Sequence, residues 1–302
     1  MPERQWMPPA PLDLRRSLTV LRRGPYDPAF RRTPDGALWR ATRTPPGPAT
    51  LRLARPAPDG PVHATAWGPG ADWALDALPA LLGADDDPDA FVPHHRLLAE
   101  ARRRHRGLRL IRTGLVLESL IPSVLEQKVT TDEAYRAWRL LLHRHGEPAP
   151  GPADGMRVMP DARGWAMIPS WEWHRAGVDG KRSATIVRAA RHAARLEEAA
   201  AMPPEQAEAR LRLIPGIGPW TAAETLQRSN GAADAVTVGD LHLPGIVGYA
   251  LTGVRGADDA RMLELLAPYA GQRHRATRLI LLTGRTPPRR APRFPRGDIA
   301  RL

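Results

Sequence analysis

The sequence predicts an α+β protein, mostly α-helical, in which a small antiparallel β-sheet subdomain precedes a larger helical body. Three observations carry this expectation. Between residues 12 and 68, short alternating apolar runs are separated by Pro and Gly clusters. From residue 73 to 283, apolar residues recur at helical spacing. Within that second region lies Ile214-Pro215-Gly216-Ile217-Gly218-Pro219, a turn that two glycines make tight and that a proline closes.

The elements follow in order. Residues 1–11 are rich in proline and are expected to be loose. Alternation predicts strands over 18–21, 37–44, 50–55 and 62–67. Helical periodicity predicts helices over 73–82, 94–104, 115–127, 132–145, 181–200, 205–214, 219–229, 241–252, 258–267 and 271–283. Gly-containing loops at 146–155 and 253–256 separate some of them. A β-like stretch, Val236-Thr237-Val238-Gly239, precedes Asp240. The expected division is 1–90 for the sheet subdomain, 91–284 for the helical domain and 285–302 for a basic disordered tail. That tail holds six arginines and one aspartate.

Composition narrows the function. The formal net charge of +12 favours a polyanionic partner, through release of counterions from nucleic acid. Nearly all the basic residues are arginine; Lys128 and Lys181 are the only lysines, which limits chemistry that needs an amine. Cysteine is absent, which excludes disulfides, thiolate metal sites and iron–sulfur clusters. No apolar run is long enough to span a membrane and no signal peptide is evident. A soluble, cytoplasmic, nucleoid-associated monomer is therefore expected.

The turn at 214–219 sits between two helical runs. Hairpin amides and a helix N-terminus together attract an anion such as a DNA phosphate. Pro215, Gly216, Ile217, Gly218 and Thr221 are the residues expected at that contact. Asp240, twenty-two residues past Gly218, has two readings. It is a fixed carboxylate that acts in catalysis, or it is the N-cap of the helix beginning at 241.

Together with these motifs, Leu120-Ile121-Pro122-Ser123-Val124-Leu125-Glu126-Gln127-Lys128-Val129-Thr130, Gly177-Val178-Asp179-Gly180-Lys181-Arg182 and Pro268-Tyr269-Ala270-Gly271-Gln272-Arg273 carry a resemblance. The chain resembles the HhH-GPD superfamily of DNA glycosylases, and within it the alkylpurine (3-methyladenine) DNA glycosylase II family. The likeness spans residues about 90–283; the N-terminal part matches only in outline.

The resemblance implies hydrolysis of the N-glycosidic bond of a damaged, alkylated purine in double-stranded DNA, after base flipping, in base excision repair. It assigns Asp240 to stabilising a cationic sugar and orienting water. It places Trp220 where bifunctional relatives usually carry a Schiff-base lysine, so the enzyme is expected to be monofunctional. Trp220, Glu224 and Leu241 fall at positions of the base pocket. The last two depart from an aromatic box suited to cationic bases. Gln127 and Lys128 fall in the loop that fills the gap in DNA, and Glu126 replaces a small residue there. No cofactor is expected, except a possible sodium or potassium ion on the backbone carbonyls of Arg212, Ile214 and Ile217. Two other functions stay open: a non-enzymatic helix-hairpin-helix DNA-binding protein, and a glycosylase for another lesion such as oxidised purines or bulky adducts. Trp171 and Trp173 are open between core, pocket and DNA surface, and His242 between the site and the helix cap.

Overall fold

The computed structural model describes residues 1–288. Most of the expected basic tail, from residue 289 onward, lies outside them. The N-terminal unit is a five-stranded antiparallel sheet of β1 (Glu3–Trp6), β2 (Phe30–Arg32), β3 (Leu38–Thr44), β4 (Gly47–Ala54) and β5 (Val62–Trp67), in the order β1-β5-β4-β3-β2. Three of the strands fall where alternation puts them. The other two were not expected. Residues 3–6, read as loose chain, pair antiparallel with β5, Glu3 opposite Thr65 and Trp6 opposite Val62.

The expected strand at 18–21 is instead the end of helix α1 (Leu14–Leu18) and a 3₁₀ turn. Asp13 caps that helix by accepting from the amide of Arg16 at 2.9 Å. Leu14, Leu18 and Leu21 then share one face at i, i+4 and i+7 and pack on the sheet. Helical spacing and a cap together outweigh a four-residue alternation.

One face of the sheet buries Leu38, Leu51, Leu53 and Val62 against α1, α2 (Ala71–Asp76) and α3 (Leu78–Leu81). On the other face Trp39 stacks on Trp67, with ring centroids 5.4 Å apart, above Met156 and Val158.

The helical body continues with α4 (Arg96–Arg104), α5 (Val116–Leu125) and α6 (Thr131–His145), whose first turn carries a capping box from Thr130 and Glu133. A two-stranded ribbon pairs Glu147–Pro148, within the loop expected at 146–155, with Arg157–Val158 just beyond it. Two short helices, α7 (Ala162–Met167) and α8 (Ser170–Arg175), were not expected. The helix expected over 181–200 is broken at His192 into α9 (Gly180–Arg191), α10 (Ala193–Glu197) and a 3₁₀ turn. Then come α11 (Pro204–Arg212), α12 (Pro219–Ser229), α13 (Leu243–Thr252), α14 (Asp259–Leu266) and α15 (Arg273–Leu282).

Every residue of α5 except Glu118 is buried, so this helix is the axis of the larger core, packed against α9 and α12. Helix α4 joins a different core, with α13, α14 and α15 around Phe91, Leu98, Met262 and Ile280. A cleft opens where α12, from the first helical core, faces α15, from the second. Ion pairs fasten the sheet unit to the helices. Arg23 meets Glu126 at 2.8 Å, and Arg40 and Thr42 hold Glu118. Among the described residues no helix is long and apolar enough to cross a membrane.

Candidate active site

The hairpin forms as expected. Ile217 is buried and anchors the turn in the core, and its amide donates to the Ile214 carbonyl at 3.0 Å. The two glycines have different reasons to be glycine. Gly216 has φ +100°, and a Cβ there would lie 2.1 Å from Thr185 Oγ1, so the fold itself requires it. Gly218 has ordinary backbone angles and open space around it. Pro219 opens α12, where its missing N–H costs nothing. Thr221, expected to contact DNA, is buried, and its hydroxyl accepts from Gln127. Its side chain is therefore not at the surface.

Gln127 ties the gap loop to this hairpin. Its Nε2 donates to Gly216 O at 3.0 Å and to Thr221 Oγ1 at 2.8 Å. That amide faces inward, not toward an opposite strand. Glu126 is also turned inward, onto Arg23. Lys128 is left exposed, with φ 53°, the only non-glycine at positive φ among the described residues. Such a conformation in a non-glycine costs about 1 kcal/mol or more and marks functional loops.

Asp240 satisfies both of its readings at once. Its Oδ1 accepts from the amides of His242 and Leu243, both at 2.8 Å, and so caps the start of α13. Its Oδ2 accepts from the indole N–H of Trp220 at 3.1 Å. Three donors fix a half-buried carboxylate at the edge of the cleft. The segment before it is not a strand. Val238 N turns back onto Val236 O, and the Thr237 hydroxyl is taken by Glu224 and Gln227. Asp234 holds the start of α15 through the backbone and guanidinium of Arg273.

The cleft has a volume of about 240 Å³ and is walled by α12 and α15, with Asp240, His242 and Leu243 at one side. Of the three residues expected in the base pocket, only Glu224 lines it. Trp220 is occupied with Asp240 outside the lining, and Leu241 is 87% exposed. Nor is Glu224 free for a base. Arg228 meets it at 2.8 Å and Thr237 donates to it at 2.7 Å. Burial raises its carboxyl, but Arg228 and these hydrogen bonds outweigh burial and hold it below the usual range.

The sequence reading missed His274 and Arg278, which stand one helical turn apart on the cleft face of α15. Burial, then Arg278 and Arg228, push His274 well below its ordinary range. Burial and Arg228 draw Arg278 down to about 10. Their i, i+4 spacing was the available signal, but an arginine-rich helix offers many such pairs. Elsewhere Trp173 is buried, stacked beside Trp165 at 5.9 Å, whereas Trp171 is 65% exposed. Among the described residues no cluster of His, Cys, Asp or Glu could hold a metal ion.

The fold, with its hairpin turn, an anchored carboxylate after it, a cleft between two helical layers and a small antiparallel sheet, is that of solved DNA glycosylases. Three solved structures share it. MBOgg1, solved with a low-affinity DNA ligand, superposes with a TM-score of 0.75 at 15% identity, over 94% of this chain and 99% of that one. The 3-methyladenine DNA glycosylase of Archaeoglobus fulgidus gives 0.76 at 15% identity, over 93% and 98%. The 8-oxoguanine glycosylase/lyase of Clostridium acetobutylicum, solved with double-stranded DNA containing cytosine opposite 8-oxoG, gives 0.72 at 10% identity, over 91% and 92%. No family model and no curated protein matches the sequence. The likeness is one of fold, and structures named for two different lesions both share it.

Proposed function

We propose that the protein is a monofunctional DNA glycosylase that hydrolyses the N-glycosidic bond of a damaged, alkylated purine in double-stranded DNA. The observation that carries this is the Asp240 carboxylate, held by three donors at the edge of a base-sized cleft beside the hairpin. The hairpin seats a phosphate. The target nucleotide leaves the stack. Departure of the base leaves positive charge on the sugar, which a fixed carboxylate stabilises. Water then completes the hydrolysis, because position 220 carries an indole and not an amine. Lys128 lies on the gap loop, and its role in this reading is contact with DNA. The protein acts as a monomer on duplex DNA. The uncharged carbonyl oxygens of Arg212, Ile214 and Ile217 are hard donors that suit an alkali cation rather than a transition metal.

The test is Asp240→Asn, which keeps a capping side chain for α13. Single-turnover base release is expected to fall at least about 10²–10³-fold while duplex affinity survives. A rate within a few-fold of wild type would remove Asp240 from catalysis; no base release by wild type from any lesion duplex would leave a DNA-binding module. Borohydride reduction on a lesion duplex is expected to trap no covalent adduct. An adduct in wild type that is lost in Lys128→Ala would make the enzyme bifunctional.

A further inference from the structure

The polar side chains of α12 that reach the cleft are internally satisfied. Glu224 is taken by Arg228 and Thr237. The Gln227 amide donates to Ala235 O and Thr237 Oγ1, both at 2.9 Å. Arg228 also donates to the carbonyls of Glu224 and Val20. On α15, Thr277 donates to the His274 carbonyl. That leaves two side chains on these helices which line the cleft and make no hydrogen bond among the described residues: the His274 ring and the Arg278 guanidinium.

A half-buried guanidinium with no ion partner is a costly arrangement. Arg278 remains protonated at neutral pH, since burial lowers it only to about 10. The charges that act on it are Arg228 and Glu224, which are already paired with each other. Beside the Asp240 carboxylate and the His242 ring, the cleft therefore presents from α15 a free, forked donor and a neutral imidazole to whatever enters. No Phe, Tyr or Trp side chain lines it.

We propose that Arg278, seconded by His274, is the specificity determinant of this cleft. It admits an uncharged base that presents two adjacent hydrogen-bond acceptors, as the O6/N7 edge of a purine does, and it disfavours bases made cationic by ring alkylation. This inference rests on the reading of the cleft as the site of the flipped base. Arginine meets an O6/N7 pair with two parallel donors. A cationic base has no acceptor at the alkylated nitrogen and is repelled by the guanidinium. Among alkylated or otherwise damaged purines, the cleft chemistry thus favours the uncharged members.

The experiment uses two duplexes, one with hypoxanthine, which is uncharged and keeps both acceptors, and one with 7-methylguanine, which is cationic and blocked at N7. Single-turnover release is measured above the uncatalysed background for wild type, Arg278→Gln and Arg278→Lys. The hypoxanthine to 7-methylguanine rate ratio is expected to fall roughly 10- to 100-fold in Arg278→Gln. Arg278→Lys keeps the charge without the fork. It is expected to slow hypoxanthine release while 7-methylguanine remains disfavoured, and it serves as the test if Arg278→Gln does not fold. An unchanged ratio in both variants overturns the proposal. Should wild type release neither base, the glycosylase reading fails for these lesions, and recognition is read from competition binding of the same two duplexes. A wild-type preference for hypoxanthine that Arg278→Gln abolishes supports Arg278 recognition; equal affinities in wild type overturn it.

Discussion

The indole N–H of Trp220 donates to the Oδ2 oxygen of Asp240 across 3.1 Å, joining the first turn of α12 to the segment that opens α13. The residue standing where an amine nucleophile would be expected is therefore engaged with the carboxylate. Trp220→Phe removes the donor and keeps most of the ring. A hydrogen bond to a charged group contributes about 1.5–3 kcal/mol, so base release is expected to slow by about tenfold or more. DNA affinity should be unchanged. Wild-type single-turnover kinetics in Trp220→Phe would show that the two amides alone position the carboxylate.

The two hairpin glycines should separate folding from DNA contact. Gly216→Ala forces a Cβ against Thr185 at positive φ and is expected to lower thermal stability as well as affinity. Gly218→Ala meets nothing within the protein and should melt like wild type. If DNA backbone approaches this turn, Gly218→Ala still weakens binding to damaged and undamaged duplexes alike. Binding isotherms at several salt concentrations check this, with affinity expected to fall steeply as salt rises. Unaltered affinity in Gly218→Ala would mean that phosphate does not come close.

Lys128 occupies a left-handed conformation that glycine adopts freely. Lys128→Gly is accordingly expected to raise stability to denaturant by roughly 1 kcal/mol, less the entropy a glycine adds to the unfolded chain. The same change should weaken duplex binding by removing an exposed charge. Loss of stability in Lys128→Gly would show that the side chain packs against the loop.

Glu224 gives a pH signature. Its carboxyl is held below the ordinary value of 4.5 in the folded protein. The unfolded chain binds the proton more readily, so the Glu224 contribution is complete above pH 4.5 and is lost as pH falls through the folded value. Glu224→Gln leaves Arg228 buried without its carboxylate partner, which typically costs about 3–5 kcal/mol at neutral pH. The variant should also have a flatter loss of stability below pH 4.5. Parallel acid limbs in chemical denaturation would show that the pair is solvated.

What the sequence determined by itself was whatever local physics controls. The tight turn at 214–219 follows from two glycines and a proline at the head of α12, and its apolar Ile217 is buried in the core. Three of the five strands follow from alternation long enough to be unambiguous. Asp240 was legible as a carboxylate at a helix start, and it is one. Short segments were read wrongly where a local cap or a distant partner decided them: 18–21 became helical, and 3–6 became a strand only because β5 offers it an open edge.

The character of the cleft was decided by tertiary structure alone. Glu224 looked available to a base until Arg228 and Thr237 closed on it, and Trp220 looked like a pocket wall until Asp240 took its N–H. Arg278 is one of many arginines in the chain. It becomes distinctive only when α15 folds against α12 and the other polar side chains of these two helices that line the cleft find partners, leaving it and His274. Sequence specifies which groups exist and their spacing along one helix. Which of them are left unpaired depends on contacts between residues far apart in the chain, and that is where this cleft acquires its chemistry.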